Sequence, residues 1–95
     1  MGTYMALVDV RECAPNNAQE LATAWGELNH EIEELDADLL DAWAVLGERD
    51  FMVLFEADDR EHALKISLLV ERRGLDMQTM ELIPVERFGA IVDDI

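Results

Sequence analysis

The sequence predicts an α+β fold, with a four-stranded antiparallel sheet, two helices on one sheet face and a short helix at the C-terminus. Three observations predict it. Two segments of helical period, each with start and stop signals, alternate with short apolar segments. The middle two apolar segments, Leu39–Leu46 and Phe51–Ala57, are joined by Gly47-Glu48-Arg49-Asp50, a link of hairpin length. Phe51 to Phe55 is apolar at every position, as in a strand covered on both faces.

Tyr4–Val10 reads as the first strand, apolar on both parities. Arg11 to Asn16 is a loop, and Pro15 disfavours helix before it. Asn17 has the chemistry of an N-cap, with Glu20 closing a capping box. The helix Ala18–Leu35 then sets Leu21, Trp25, Leu28, Ile32 and Leu35 on one stripe, with Glu27, Glu31, Glu33 and Glu34 off it.

Asp36-Ala37-Asp38 is a turn. Alternation in the second strand puts Leu39, Asp41, Trp43 and Val45 on one face. Leu40, Ala42, Ala44 and Leu46 fall on the other, packed under the helices. Asp58 and Asp59 are both competent caps for a helix Arg60–Arg73, with Glu61 completing a box from Asp58. That helix is expected to turn Ala63, Leu64, Ser67, Leu68 and Val70 inward. Arg72 and Arg73 suit its negative end, and Gly74 its stop. Leu75–Ile83 is the last strand. Pro84 opens the terminal helix, Val85–Asp94, with Phe88, Ile91 and Val92 apolar.

The order is therefore βαββαβ plus a helix, the ferredoxin-like arrangement, with right-handed crossovers and all of residues 1–95 in one domain. With the helices on one face, Leu39, Trp43, Val45 and one parity of the third strand point away from them. Such a patch exceeds what a soluble monomer normally exposes. Two sheets stacked face to face would bury it, so a homodimeric α/β barrel is expected.

Composition narrows the function classes. The chain carries 22 Asp and Glu against 7 Lys and Arg, a net charge of -15. This field repels phosphate backbones and anionic lipid surfaces, so neither nucleic acid nor membrane is expected as a partner. Self-repulsion of that size is relieved in molar salt, where the Debye length is about 3 Å. The balance resembles that of a protein from a salt-accumulating halophile. One cysteine, Cys13, excludes an internal disulfide framework. With no signal pattern and no long apolar run, a cytoplasmic protein is expected.

Tyr4-Met5-Ala6-Leu7-Val8, then Trp43 through Asp59, and the tail Glu86-Arg87-Phe88-Gly89-Ala90-Ile91-Val92 resemble the GYD domain family. That family is named for a Gly-x-Tyr-Asp turn between the second and third strands. Gly47 and Asp50 match it, and Arg49 stands where the family has tyrosine. The resemblance implies the ferredoxin-like fold and dimerisation. A similar turn occurs in the effector domains of Lrp/AsnC-like regulators, where it helps form an amino-acid pocket between subunits.

The candidate ligand-binding residues are Asp41, Trp43, Gly47, Arg49 and Asp50. Gly47 and Asp50 also fit a purely structural turn, with Gly47 at positive φ and the Asp50 carboxylate accepting backbone N–H groups. Arg49 suits a carboxylate ligand or a surface acid. Asp41 and Trp43 share the outer sheet face, where an aspartate in a barrel acts as acid or base and one at the barrel mouth is merely solvated. His30 lies at helical spacing from Glu27 and Glu34, and this reads more readily as a solvated acidic face than as a metal site. His62 lacks such partners. No metal, cofactor or catalytic residue is assigned. The expected function is a small-metabolite-binding or protein-interaction module. The alternatives are a small cofactor-free monooxygenase or isomerase, and a stand-alone Lrp/AsnC-like effector domain.

Overall fold

The computed structural model describes residues 2–10 and 18–95. Its elements are β1 (Gly2–Val10), α1 (Ala18–Glu34), β2 (Asp38–Ala44), β3 (Phe51–Ala57), α2 (Arg60–Glu71), β4 (Leu75–Leu82) and α3 (Val85–Asp93). The expected Asn17 cap, Pro15 and Cys13 lie outside the described residues. The strands pair antiparallel in the order β2-β3-β1-β4, the ferredoxin-like order.

Register decides which parity meets the helices. Tyr4, Ala6 and Val8 of β1 pair with Phe55, Val53 and Phe51 of β3. These residues share the helix side. Tyr4 stacks on Phe55 with ring centroids 5.5 Å apart. Leu28 and Ile32 of α1, Ala63, Ile66 and Val70 of α2, and Leu75 of β4 complete the buried core. The α1 stripe packs as expected, with Leu21, Trp25 and Leu35 flanking Leu28 and Ile32.

β2 departs from simple alternation. Leu39 pairs with Phe55 and Asp41 with Leu54, so Leu40 is the extra residue of a β-bulge. The bulge reverses parity at one point. Leu39, expected on the outer face, joins Ala42 and Ala44 on the helix side, while Asp41 and Trp43 keep the outer face. Leu40 and Leu46, expected under the helices, are exposed, because β2 ends at Ala44 and Leu40 bulges out.

α2 also corrects the sequence reading. Its buried residues are Ala63, Ile66, Ser67 and Val70, whereas Leu64 and Leu68 are exposed. Burying Ser67 is made tolerable by hydrogen bonds to Thr79 Oγ1 at 2.7 Å and Ala63 O at 3.2 Å. The cap is Asp59, whose Oδ1 accepts the His62 N–H at 2.8 Å, so the box from Asp58 to Glu61 is not the one used. Gly74 takes φ 82° as a helix stop requires. Arg73 lies beyond the last helical residue and turns back to α1, bonding Glu27 and Glu31. Donating to the Glu27 carboxylate, and next to that of Glu31, holds its guanidinium above its ordinary pKa.

α3 contributes no buried residue. Val85, Phe88, Ile91 and Val92 are all exposed. The molecule measures 50 × 30 × 18 Å and its radius of gyration is 14.8 Å. A compact chain of this length has about 12 Å.

Candidate functional site

The β2–β3 link is clamped onto the end of β1. Its two ends are joined by Val45 N–H donating to Asp50 O at 2.9 Å. The Asp50 N–H donates to Val8 O and to Asp9 Oδ1, each at 3.2 Å. In return, Asp50 Oδ2 accepts the Val10 N–H at 2.8 Å. Arg49 Nη1 donates to Asp9 Oδ2 at 2.7 Å. Asp50 thus accepts a backbone N–H as expected, but from the neighbouring strand. Gly47 does not take positive φ, and a Cβ there would meet only Val45 Cγ1 at 3.9 Å. The conformational freedom expected of Gly47 is not used.

The face opposite α1 and α2 is apolar at its centre. Register places Met5 and Leu7 of β1, Met52 and Leu54 of β3 and Met80 of β4 there. All five are partly exposed, and no described element covers them. Asp41 and Trp43 sit on the same face opposite Leu54 and Met52. Asp41 is exposed, and its Oδ1 accepts the Ala42 N–H at 2.9 Å. Asp9 also belongs to this face by parity, so Arg49 stands at its end. Four candidates, Asp41, Trp43, Arg49 and Asp50, therefore lie on or beside one surface, with exposed Gly47 in the link that holds two of them.

A second concavity lies on the helix side. A groove of about 340 Å³ runs between α1 and the edge strand β2, lined by Trp25, Asn29, Leu39, Ala42, Trp43 and Phe51 among others. Trp25 and Phe51 meet with centroids 5.1 Å apart. No charged residue lines this groove.

The family model for the GYD domain matches residues 4–92. The chain belongs to the GYD domain family. No protein of curated function matches it. Solved structures similar in fold include the leucine response regulatory protein LrpA of Mycobacterium tuberculosis, at 7% identity and TM-score 0.61, covering 87% of this chain and 51% of that one. The chain spans about half the length of that protein. A protein from Thermus thermophilus matches at 18% identity and TM-score 0.57, over 88% of this chain and 95% of its own. The protein FFRP-DM1 matches at 19% identity and TM-score 0.59, over 87% and 100%.

In this GYD domain the turn that names the family carries Arg49, and the structure gives that arginine an acidic partner in Asp9. Asp9 is not among the candidates that sequence alone suggests. Only the strand register brings it across the sheet end to Arg49. His62 is a linking residue that sequence reasoning misses. Its Nδ1 accepts the Asp58 N–H at 3.2 Å, and its Nε2 meets the Leu35 carbonyl oxygen. The Asp58 carboxylate lies 3.8 Å from the same nitrogen. Because Nδ1 accepts the backbone N–H, the link to Asp58 runs through that hydrogen bond. Glu27 turns to Arg73, leaving His30 in an exposed pair with Glu34 at 3.3 Å. Among the described residues no group of three or more His, Cys, Asp or Glu has metal-holding geometry, and no helix is long and apolar enough to cross a membrane.

Proposed function

We propose that this GYD domain is a small-molecule-binding module that works as a homodimer, two copies stacking their sheets through the open face. The bare centre of that face, Met5, Leu7, Met52, Leu54 and Met80, carries the reading. A face of this kind on a soluble chain is an interaction surface, and a two-fold axis lets one patch cover itself. Likeness of fold to a leucine response regulatory protein supports a ligand-binding role. The ligand contacts assigned are Asp41 and Trp43 on the face and Gly47, Arg49 and Asp50 at its end. There the Arg49 guanidinium offers a forked donor to a small carboxylate.

Light scattering after size exclusion in molar KCl tests the assembly. A dimer at micromolar concentration is expected, and Leu54→Glu should convert it to a monomer. A monomeric parent chain defeats the reading. A thermal-shift screen of amino acids, nucleotides, quinones and divalent metals tests the ligand. Occupancy at 100 times the dissociation constant stabilises by about 2.7 kcal/mol. The shift should be lost in Arg49→Ala. Absence of any shift removes the small-molecule part of the proposal and leaves a protein-interaction module.

A further inference from the structure

The indole N–H of Trp25 is the one buried side-chain nitrogen or oxygen among the described residues without a hydrogen-bond partner. Native chains rarely leave such a donor unmade, because burying it unpaired costs about 1–3 kcal/mol. Trp25 also lines the helix-side groove. Three aromatic side chains, Trp25, Trp43 and Phe51, border that groove, with the Asn29 amide as a further polar group. Its volume of about 340 Å³ falls within the range of small-ligand sites, about 300–1,000 Å³. The absence of charge is informative in a chain of net charge -15, where 29 of 95 residues are Asp, Glu, Lys or Arg. An anion would be repelled by the surrounding field, and a cation would find no counter-charge in the lining.

We infer that the groove between α1 and β2 is a binding site for a flat, uncharged ring compound bearing a carbonyl oxygen. The ring stacks among Trp25, Trp43 and Phe51, and the oxygen accepts the Trp25 indole N–H. The N–H is buried, so binding on this proposal includes a turn of the indole about χ2 that brings the N–H to the groove. The site differs from the one proposed above, although Trp43, on the edge strand, borders both. It lies within a single chain, on the helix side of the sheet, and needs no second copy.

The chain has two tryptophans, Trp25 and Trp43, and both border the groove. Nitrogen-15 NMR of their indole N–H groups therefore reads it directly, with Trp43→Phe assigning the two signals. The probes are 1-indanone, a planar ketone, and indane, the same frame without the oxygen. 1-Indanone should shift the Trp25 indole proton downfield in a saturable titration. It should bind about three- to tenfold more tightly than indane, the ratio expected of one neutral hydrogen bond. Trp25→Phe keeps a ring and should bring the ratio close to one. Ala42→Leu, which fills the groove, should abolish binding of both probes while leaving the fold intact. Leu54→Glu, designed against the sheet-face dimer, should bind as the parent does, so the two proposals fail separately. A Trp25 signal that does not move, equal binding of the two probes by the parent, or a preference that survives Trp25→Phe would each overturn the inference.

Discussion

Asp50 shows what one short side chain does at a strand end. Its carboxylate satisfies the N–H of Val10 on β1 while its own N–H reaches Val8 and Asp9, so a single residue ties the β2–β3 link to the first strand. Asp50→Ala removes the acceptor and should cost about 1–2 kcal/mol in urea unfolding. Gly47→Ala, in the same link and the same assay, should stay within about 1 kcal/mol of the parent. There φ is not positive, and a Cβ meets nothing closer than 3.9 Å. A larger loss at Gly47 than at Asp50 would contradict this account of the turn. His62 joins the end of α1 to the end of β3 through its two ring nitrogens. His62→Ala should lower stability by about 1–3 kcal/mol, because the Leu35 carbonyl and the Asp58 N–H lose a shared partner. The Gly47 and Asp50 positions are legible as a turn from residue type alone. The roles of Asp9 and His62 are not, because their partners lie 40 and 27 residues away.

At the scale of elements, periodicity locates every helix and strand to within a residue or two, but not every face. α2 offers two candidate stripes. One contains the larger pair Leu64 and Leu68, and the other contains Ile66 and the small residues Ala63 and Ser67. Close approach to β4 favours the second, where small side chains and the Ser67–Thr79 hydrogen bond fit. Ile66→Ala should therefore cost about 2–5 kcal/mol, and Leu68→Ala less than about 1 kcal/mol. Denaturant midpoints check the ranking, and the reverse order would return α2 to the orientation composition suggests. β2 carries the same lesson. Its alternation is regular in the sequence, yet the bulge at Leu40 exchanges Leu39 between faces. No local signal marks the bulge, since Leu39 and Leu40 are the same residue type and composition does not say which of them faces inward. Arg73 links α2 to α1 from beyond the helix end. With its pKa raised by Glu27 and Glu31, it stays protonated well above neutrality, so on the alkaline side this link is lost only in strong alkali.

For the whole molecule, charge is the dominant global property. The net charge of -15 acts against compaction at low ionic strength. The melting temperature should rise by several degrees between about 0.1 M and 2 M KCl, as the Debye length falls from about 10 Å toward 3 Å. A flat response would show that the acidic residues are spaced well enough to coexist without salt. The same titration followed by light scattering separates screening within one chain from screening between two, because dimerisation makes the melting temperature depend on protein concentration.

Element order, the ferredoxin-like topology, the α1 stripe, the Gly74 stop and the existence of a second apolar sheet face can all be read from the chain alone. These follow from period, caps and chain connectivity, which are properties of neighbours along the chain. Tertiary structure alone decided that Leu39 faces inward, that Ile66 displaces Leu64 and Leu68 from the core, that Arg49 meets Asp9, and that Trp25 keeps a buried donor unpaired beside an uncharged groove. Each depends on which residue lies opposite in space. Register and packing fix that through contacts between residues far apart in the sequence.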